Sequence, residues 1–397
     1  MLDRLTIERA RAGPILLGLS GGGDSVALLH LLVEDLGAAR LRAIVVDHAL
    51  RAGSADDARQ AVGFAESLGV AGEIATLSWP DGAKRTQQSA REARYGALCD
   101  VARRLGAAAI AVAHTADDQA ETVLMRAAAG SSWRGLAGMA AIAPAPVWPQ
   151  GRGIVLARPL LGVRRTHLRD TLHARGGLWI EDPANANPMF ERVRVRARLA
   201  ALEAQGLDPM RLTRLAAKLR PRVEQLDQEA AALIGQVARF DGERIIVARA
   251  NWSGGAEARR RALAALITAA AGAMREPNPS AIEALEARLS TGGFAGASLG
   301  GARLAPLGAE IVLTRDVGAL QGRADGALPL APLPLPAGVR TVWDGRLAVT
   351  APEPGWSVVA EVGRPRFVKG GMALEVGQLG SERWLLEARI QHLLAPG

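Results

Sequence analysis

Cysteine is almost missing from this sequence: its 397 residues contain one, Cys99. A single thiol can form neither a disulfide within the chain nor a cysteine-based metal cluster, which fits a reducing compartment. Cys99 lies in an Ala/Leu/Val-rich helical stretch and reads as a small buried hydrophobe. The six histidines are scattered singly, with no pair at metal-ligand spacing. No run of about 18 apolar residues occurs, and the opening MLDRLTIERARAG has no signal-peptide apolar core, so a soluble, cytoplasmic protein without a membrane partner is expected. Aromatics are scarce at 4% while Ala, Gly and Arg are abundant, and with so many arginines few of them can be read as functional from residue type alone. No lysine precedes Lys84, which excludes a GxxxxGKS/T phosphate loop near the N-terminus, and the dinucleotide fingerprint GxGxxG is missing too.

The formal net charge is +8, the electrostatic footprint of a polyanion binder, with a solvated arginine-rich surface as the alternative. The length allows two or three domains. Up to about residue 205, apolar strand candidates alternate with helical patterns: Pro14–Leu19, Leu41–Val46, Glu73–Leu77, Ala107–Ala113 and Ile154–Ala157 as strands, with helices over Val26–Val33, Ser54–Leu68, 87–105 and Ala116–Ala128 between them. Such alternation predicts an α/β fold with a doubly wound parallel sheet. From 206 to 320 a smaller α+β domain is expected, with helices at 223–236 and 256–273 and strands near 244–248, 302–305 and 310–314. A Pro/Gly/Leu-rich linker at 321–339 leads to a short module, 340–397, ending in a helix over Glu382–Leu394.

The strongest local signal is Ser20-Gly21-Gly22-Gly23-Asp24-Ser25, placed after a strand and before a helix. Backbone N–H groups and the positive end of a helix dipole there suit an anion, and glycine lets it approach closely. Asp24 would be repelled by phosphate and makes sense as a Mg2+ ligand. Asp47 and His48 end the second strand, where open α/β sheets bind ligands. Arg91 and Arg94 share a helix face and suit a phosphate. His114 precedes a helix start carrying Asp117, Asp118, Glu121 and Thr122, whose spacing puts two carboxylates and a hydroxyl on one face, able to hold a metal or to deprotonate an ammonium. Between 191 and 222 nine Lys/Arg stand against three Asp/Glu, a basic stripe suited to a phosphate backbone.

SGGGDS, VDHALR, AREARY, HTADDQAET, GLAGM, RPLL and DPAN followed by RVRVR appear in that order over residues 15–200. This ordered set resembles the tRNA(Ile)-lysidine synthases, a PP-loop (N-type ATP pyrophosphatase) family. The resemblance implies a ligase that adenylates the wobble cytidine of a tRNA(Ile) with a CAU anticodon and then joins L-lysine to its C2, releasing AMP and pyrophosphate. It implies ATP over Ser20–Ser25, with Asp47, His48 and His114 alongside, and Mg2+ at Asp24. It puts catalysis on Asp24, Asp118 and Glu121, and the lysine or metal on Asp117, Asp118 and Glu121. Arg91, Arg94, Arg192, Arg194 and Arg196 would meet tRNA or phosphate, 206–320 would be a tRNA-binding domain, and an oligomer is compatible with the pattern. Two positions depart from the family: Ala129 stands where arginine is expected, and Asn187 where an acid is common. A PP-loop tRNA thiolase would need more than one cysteine, another PP-loop amide- or amidine-forming synthetase would not need the basic stripe, and a non-catalytic RNA-binding protein would not need the acids.

Overall fold

The computed structural model describes residues 13–49, 53–79, 86–181, 189, 191–290, 293–322 and 329–395. Two compact units meet in sequence between Glu224 and Gln225. The first contains β1 (Ile15–Gly18), α1 (Gly23–Leu36), β2 (Leu41–Asp47), α2 (Ser54–Ser67), β3 (Gly72–Thr76), α3 (Gln87–Arg104), β4 (Ala109–Ala111), α4 (Ala116–Ala128) and the single turn α5 (Trp133–Leu136). It continues through β5 (Ile142–Pro144), β6 (Val155–Ala157), α6 (Arg165–Ala174), α7 (Glu191–Ala204) and α8 (Met210–Val237), within which the division falls.

The strands form one sheet in the order β3-β2-β1-β4-β6-β5. It is parallel except for β5, which pairs antiparallel with β6. The central strands are largely apolar because each face is covered, and alternate side chains go to opposite faces. Ile15, Leu17, Val45 and Ala111 pack with α1, α2 and α6. Leu16, Ile44, Ile110 and Leu156 pack with Tyr95, Leu98 and Cys99 of α3. The expected doubly wound sheet is present. Its short edge strand β5 was not anticipated, being three residues ending in a proline, a residue that edge strands tolerate. Helix α8 starts well before the expected 223, because Pro221 lies inside it instead of marking its beginning.

The second unit adds β7 (Ala238–Asp241), β8 (Arg244–Ala248), α9 (Ala256–Ala271), α10 (Pro279–Ser290), β9 (Ala297–Leu299), β10 (Ala302–Leu307), β11 (Glu310–Arg315) and α11 (Val317–Gln321). The sheet β7-β8-β11-β10-β9 is antiparallel. Nearly every residue of α9 from Arg261 on is buried, as befits a helix apolar all round. Two smaller sheets follow, β12-β15-β16-β17 and β13-β14-β18. Their strands are β12 (Leu333–Leu335), β13 (Arg340–Trp343), β14 (Leu347–Thr350), β15 (Trp356–Glu361), β16 (Arg364–Lys369), β17 (Met372–Leu374) and β18 (Ser381–Trp384), before a final α12 (Leu386–Leu393). The proline-rich stretch therefore contributes an edge strand, β12, paired with β15. The terminal helix is shorter than the expected Glu382–Leu394, because Ser381–Trp384 pairs with β14 and tertiary pairing overrides local helix preference.

Main chain meets main chain between α9 and the β13–β14 turn. A Cβ on Gly272 (φ +62) would lie 1.9 Å from the Asp344 carbonyl oxygen, and one on Gly345 (φ +65) 2.6 Å from that of Gly272. Asp344 accepts from Arg315 Nε at 3.0 Å and from Arg346 Nε at 2.8 Å.

Candidate functional site

The loop after β1 is braced from within. Gly22 caps α1 without any side-chain hydrogen bond. The Ser25 hydroxyl donates to the Gly22 carbonyl at 2.8 Å and accepts from the Ser20 N–H at 3.2 Å. The serines thus hold the loop's shape, while the helix end points its N–H groups outward. Gly21 sits at φ +80, and a Cβ there would fall 2.7 Å from Ile180 Cδ1. The Ile180 N–H donates to the Gly21 carbonyl at 2.9 Å, and Trp179 lies against Gly23. Gly21→Ala should destabilise the protein by about 2 kcal/mol, from left-handed strain and crowding together. Thermal unfolding should show this as a Tm about 4–8 °C lower.

The acids gather at the start of α4. Thr115 and Asp118 form a capping box: Asp118 Oδ2 accepts from the Thr115 N–H at 2.8 Å and from its hydroxyl at 2.9 Å. Asp118 Oδ1 accepts from Arg165 Nη2 at 3.1 Å, and Asp24 Oδ2 accepts from Arg165 Nε at 2.9 Å. Glu121 Oε1 accepts from Arg196 Nε at 2.6 Å. Glu121 is 2% exposed, and its second oxygen, Oε2, is buried with no hydrogen-bond partner. Asp117 turns aside, accepting from Arg164 Nε at 3.2 Å and the Arg165 N–H at 2.7 Å. The Thr122 hydroxyl donates to the Asp118 carbonyl of its own helix. The structure therefore brings Asp24, Asp118 and Glu121 together and keeps Thr122 out.

Burial raises the carboxyl of Asp24 above its ordinary range, and Arg165 offsets this only in part. Burial likewise raises Glu121 against the pull of Arg196. Burial opposes ionisation of Asp118 as well, but Arg165 and the Thr115 N–H outweigh it and hold that carboxyl low. Neighbouring acids with diverging proton affinities are the arrangement acid–base chemistry uses.

A basic cluster lies at the tips of β2, β4 and β6. Asp47 is buried and accepts from the Ala49 N–H at 2.9 Å. The guanidinium carbons of Arg91 and Arg94 each sit 5.0 Å from the Tyr95 ring centre. His114 is pushed down to about 3 by burial and by Arg158, so it stays neutral. Arg158, 6% exposed, donates to the Ala140 carbonyl at 2.6 Å. The carbonyls of the GLAGM segment also take Arg126, at Gly135 and Gly138, and Arg220, at Ala137 and Gly138. The Arg126 and Arg158 guanidiniums, held by neutral carbonyls, keep their charge for an outside anion. His48 Nδ1, Arg94 Nε, Tyr95 OH, His114 Nδ1 and Arg158 Nε are all buried without a partner. Unsatisfied buried polar atoms are rare in proteins, and this many beside the Arg94 and Arg158 guanidiniums ask for an anionic, polar ligand.

Arg192 is exposed and faces Arg91 electrostatically, and Arg194, also exposed, donates to the Met189 carbonyl. Arg196 is turned to Glu121. Ala129 is exposed at the end of α4. Leu50, Arg51 and the DPAN segment with Asn187 lie outside the described residues. Sequence reasoning missed Arg165 and Arg158: the RPLL motif contains Arg158 but no charge pattern marks it, and Arg165 resembles any arginine of this arginine-rich chain.

A family model described as a PP-loop domain matches residues 2–203. The tRNA(Ile)-lysidine synthase of Hyphomonas neptunium is 36% identical over 318 residues, 79% of this chain and 84% of that protein. Those of Caulobacter vibrioides (35% over 370 residues, 91% and 80%) and Rhizobium meliloti (34% over 392 residues, 92% and 80%) are similar over still more of this chain. Among solved structures, the U34-tRNA thiolase NcsA from Methanococcus maripaludis is similar at 17% identity and a TM-score of 0.44, over 56% of this chain and 77% of that one. Relatedness of this extent reaches well past the phosphate loop into the second unit, and the chain belongs to the tRNA(Ile)-lysidine synthase family.

Proposed function

We propose that the chain converts the wobble cytidine of a CAU-anticodon tRNA(Ile) to lysidine, using ATP and free L-lysine. ATP lies over Ser20–Ser25. The cytidine C2 oxygen attacks the α-phosphorus, the bond between α and β breaks, and pyrophosphate leaves. The ε-nitrogen of lysine then bonds to C2 while the C2–O bond breaks and AMP departs. One proton leaves the ammonium before attack and a second as the amidine forms. The observation that carries this reading is Glu121 Oε2, a buried acceptor without a donor beside Asp118 and the phosphate loop. An ammonium supplies that donor, and a carboxyl with raised proton affinity can take its proton. The basic cluster supports the nucleotide and RNA phosphates.

Among the described residues no group of three His, Cys, Asp or Glu could hold a metal ion. Asp24 alone fits Mg2+ shared with phosphate oxygens and waters, the usual arrangement at nucleotide sites, where the ion neutralises phosphate charge. The thiolase alternative is disfavoured by the chemistry of Cys99, buried and pushed up to about 12 by that burial, since only the thiolate reacts. No described helix is long and apolar enough to cross a membrane, and ATP, lysine and tRNA as substrates suit the cytoplasm.

Mass spectrometry of nucleosides from tRNA(Ile), after incubation with the protein, ATP and lysine, should show lysidine. Unmodified cytidine alone would refute the reading and favour a non-catalytic RNA binder. Replacing Arg192 and Arg194 by alanine should weaken tRNA binding and lower the slope of log K against log salt by about 0.7–0.9 per lost phosphate contact. Filter binding across a salt series checks this, and an unchanged slope would remove that edge of α7 from the RNA path.

A further inference from the structure

Four of the five carboxylates singled out from the sequence converge on one residue that was not. Arg165 opens α6. Its backbone N–H donates to Asp117 at 2.7 Å, its Nε to Asp24 at 2.9 Å and its Nη2 to Asp118 at 3.1 Å, while its Nη1 lies 3.8 Å from Glu121 Oε1. Under the reading above these acids serve different steps. Asp24 belongs to the nucleotide loop on α1, whereas Asp118 and Glu121 face the amine from α4. Arg196 touches only Asp118 and Glu121, and Arg164 pairs with Asp117, Glu203 and Asp208. Among the described ion pairs, only those of Arg165 reach the acids of both helices.

The guanidinium is planar and delivers its donors at fixed angles. Gripping Asp24 through Nε and Asp118 through Nη2 therefore fixes the distance and tilt between the two carboxylates, which a flexible point charge would not do. We propose that Arg165 is a positioning residue that sets the adenylating loop and the amine-handling acids in register, so that the lysine nitrogen arrives in line with the C2 atom that has just been activated. This inference rests on the proposed reaction. Its alternative is that Arg165 only neutralises buried acids, a task for which any cation serves.

The test separates charge from shape. Arg165→Lys keeps the charge and loses the fork. The full chain with tRNA(Ile), ATP and lysine is followed in two assays, pyrophosphate release and lysine transfer to pre-adenylated tRNA, with Tm measured in parallel. Expected for R165K are a lysine KM raised about tenfold or more and pyrophosphate release slowed about tenfold, with Tm within a few degrees of the parent, as for loss of orientation without loss of fold. Asp24→Asn should cost pyrophosphate release at least about threefold less in the R165K background than in the parent, because coupled residues are not additive. A parental lysine KM and release rate in R165K, or full additivity with D24N, would overturn the proposal. Should R165K unfold, Asp24→Asn and Asp118→Asn are combined in the parent chain, where a bridge between the two acids predicts non-additive losses in pyrophosphate release and full additivity would overturn the proposal. A parent chain that never releases pyrophosphate with tRNA and lysine removes the reading and this inference together, whereas a parent that turns over beside an unaffected R165K removes the inference alone.

Discussion

Glu121→Gln should cut lysidine formation about 10³-fold while adenylation of the tRNA continues, so that adenylated tRNA accumulates. The expectation follows from the two oxygens of this side chain. Oε1 is held by Arg196 and Oε2 has no partner in a position 2% exposed. A glutamine fills the same space and can still meet Arg196 through its carbonyl. It presents an NH2 where the carboxylate offered an acceptor, and a donor facing an ammonium is repulsive. It also cannot take a proton. Single-turnover assays with labelled ATP and separately with labelled lysine distinguish the steps: labelled AMP on tRNA should persist and labelled lysine should not enter. Equal loss of both labels would mean that Glu121 serves the fold or the nucleotide instead of the amine.

Asp24→Ala should lower tRNA-dependent pyrophosphate release by about 10²–10³-fold, the scale found when one preorganised electrostatic contact to a transition state is removed. The tRNA dissociation constant should stay within about threefold of the parent, because the basic residues proposed to meet RNA lie on other elements. Asp24 stands in the first turn of α1, two residues after the capping Gly22, where a carboxylate beside a bound phosphate calls for a cation between them. The variant also frees one arm of Arg165, so some of the loss comes through misplaced Asp118. Pyrophosphate release and filter binding on the same preparation separate the two quantities. Turnover at the parental rate would detach the loop from catalysis.

The fold of the first unit was legible because both-face burial writes itself as apolar runs, as at Ile15–Gly18 and residues 43–46. Short pieces were not. β5 has three residues and its partner β6 supplies the reason for its existence, so nothing local announces it. α6 follows the RPLL segment with an arginine pair that reads as loop, and β18 looked helical until its pairing with β14 was seen. At the site, what lies close in sequence was readable: the glycine loop, and the i, i+3 relation of Asp118 and Glu121. What depends on residues far apart was not. Arg165 lies 141 positions from Asp24 in the chain, and Arg196, read as an RNA contact, is pinned to Glu121, 75 positions away. The clamp on GLAGM likewise draws Arg126 from α4 and Arg220 from α8, and only folding puts them on one set of carbonyls.

Gly272 and Gly345 leave a lasting mark on how the second unit can change over time. Their contact is backbone on backbone, so there is no side chain whose enlargement or trimming could adjust it. An alanine at either position collides with the opposite strand of peptide, and a compensating change at the other has nothing left to remove. Such a seam can be inherited intact or lost outright, but not tuned by small steps. Surfaces around this joint can change one residue at a time while the joint itself cannot.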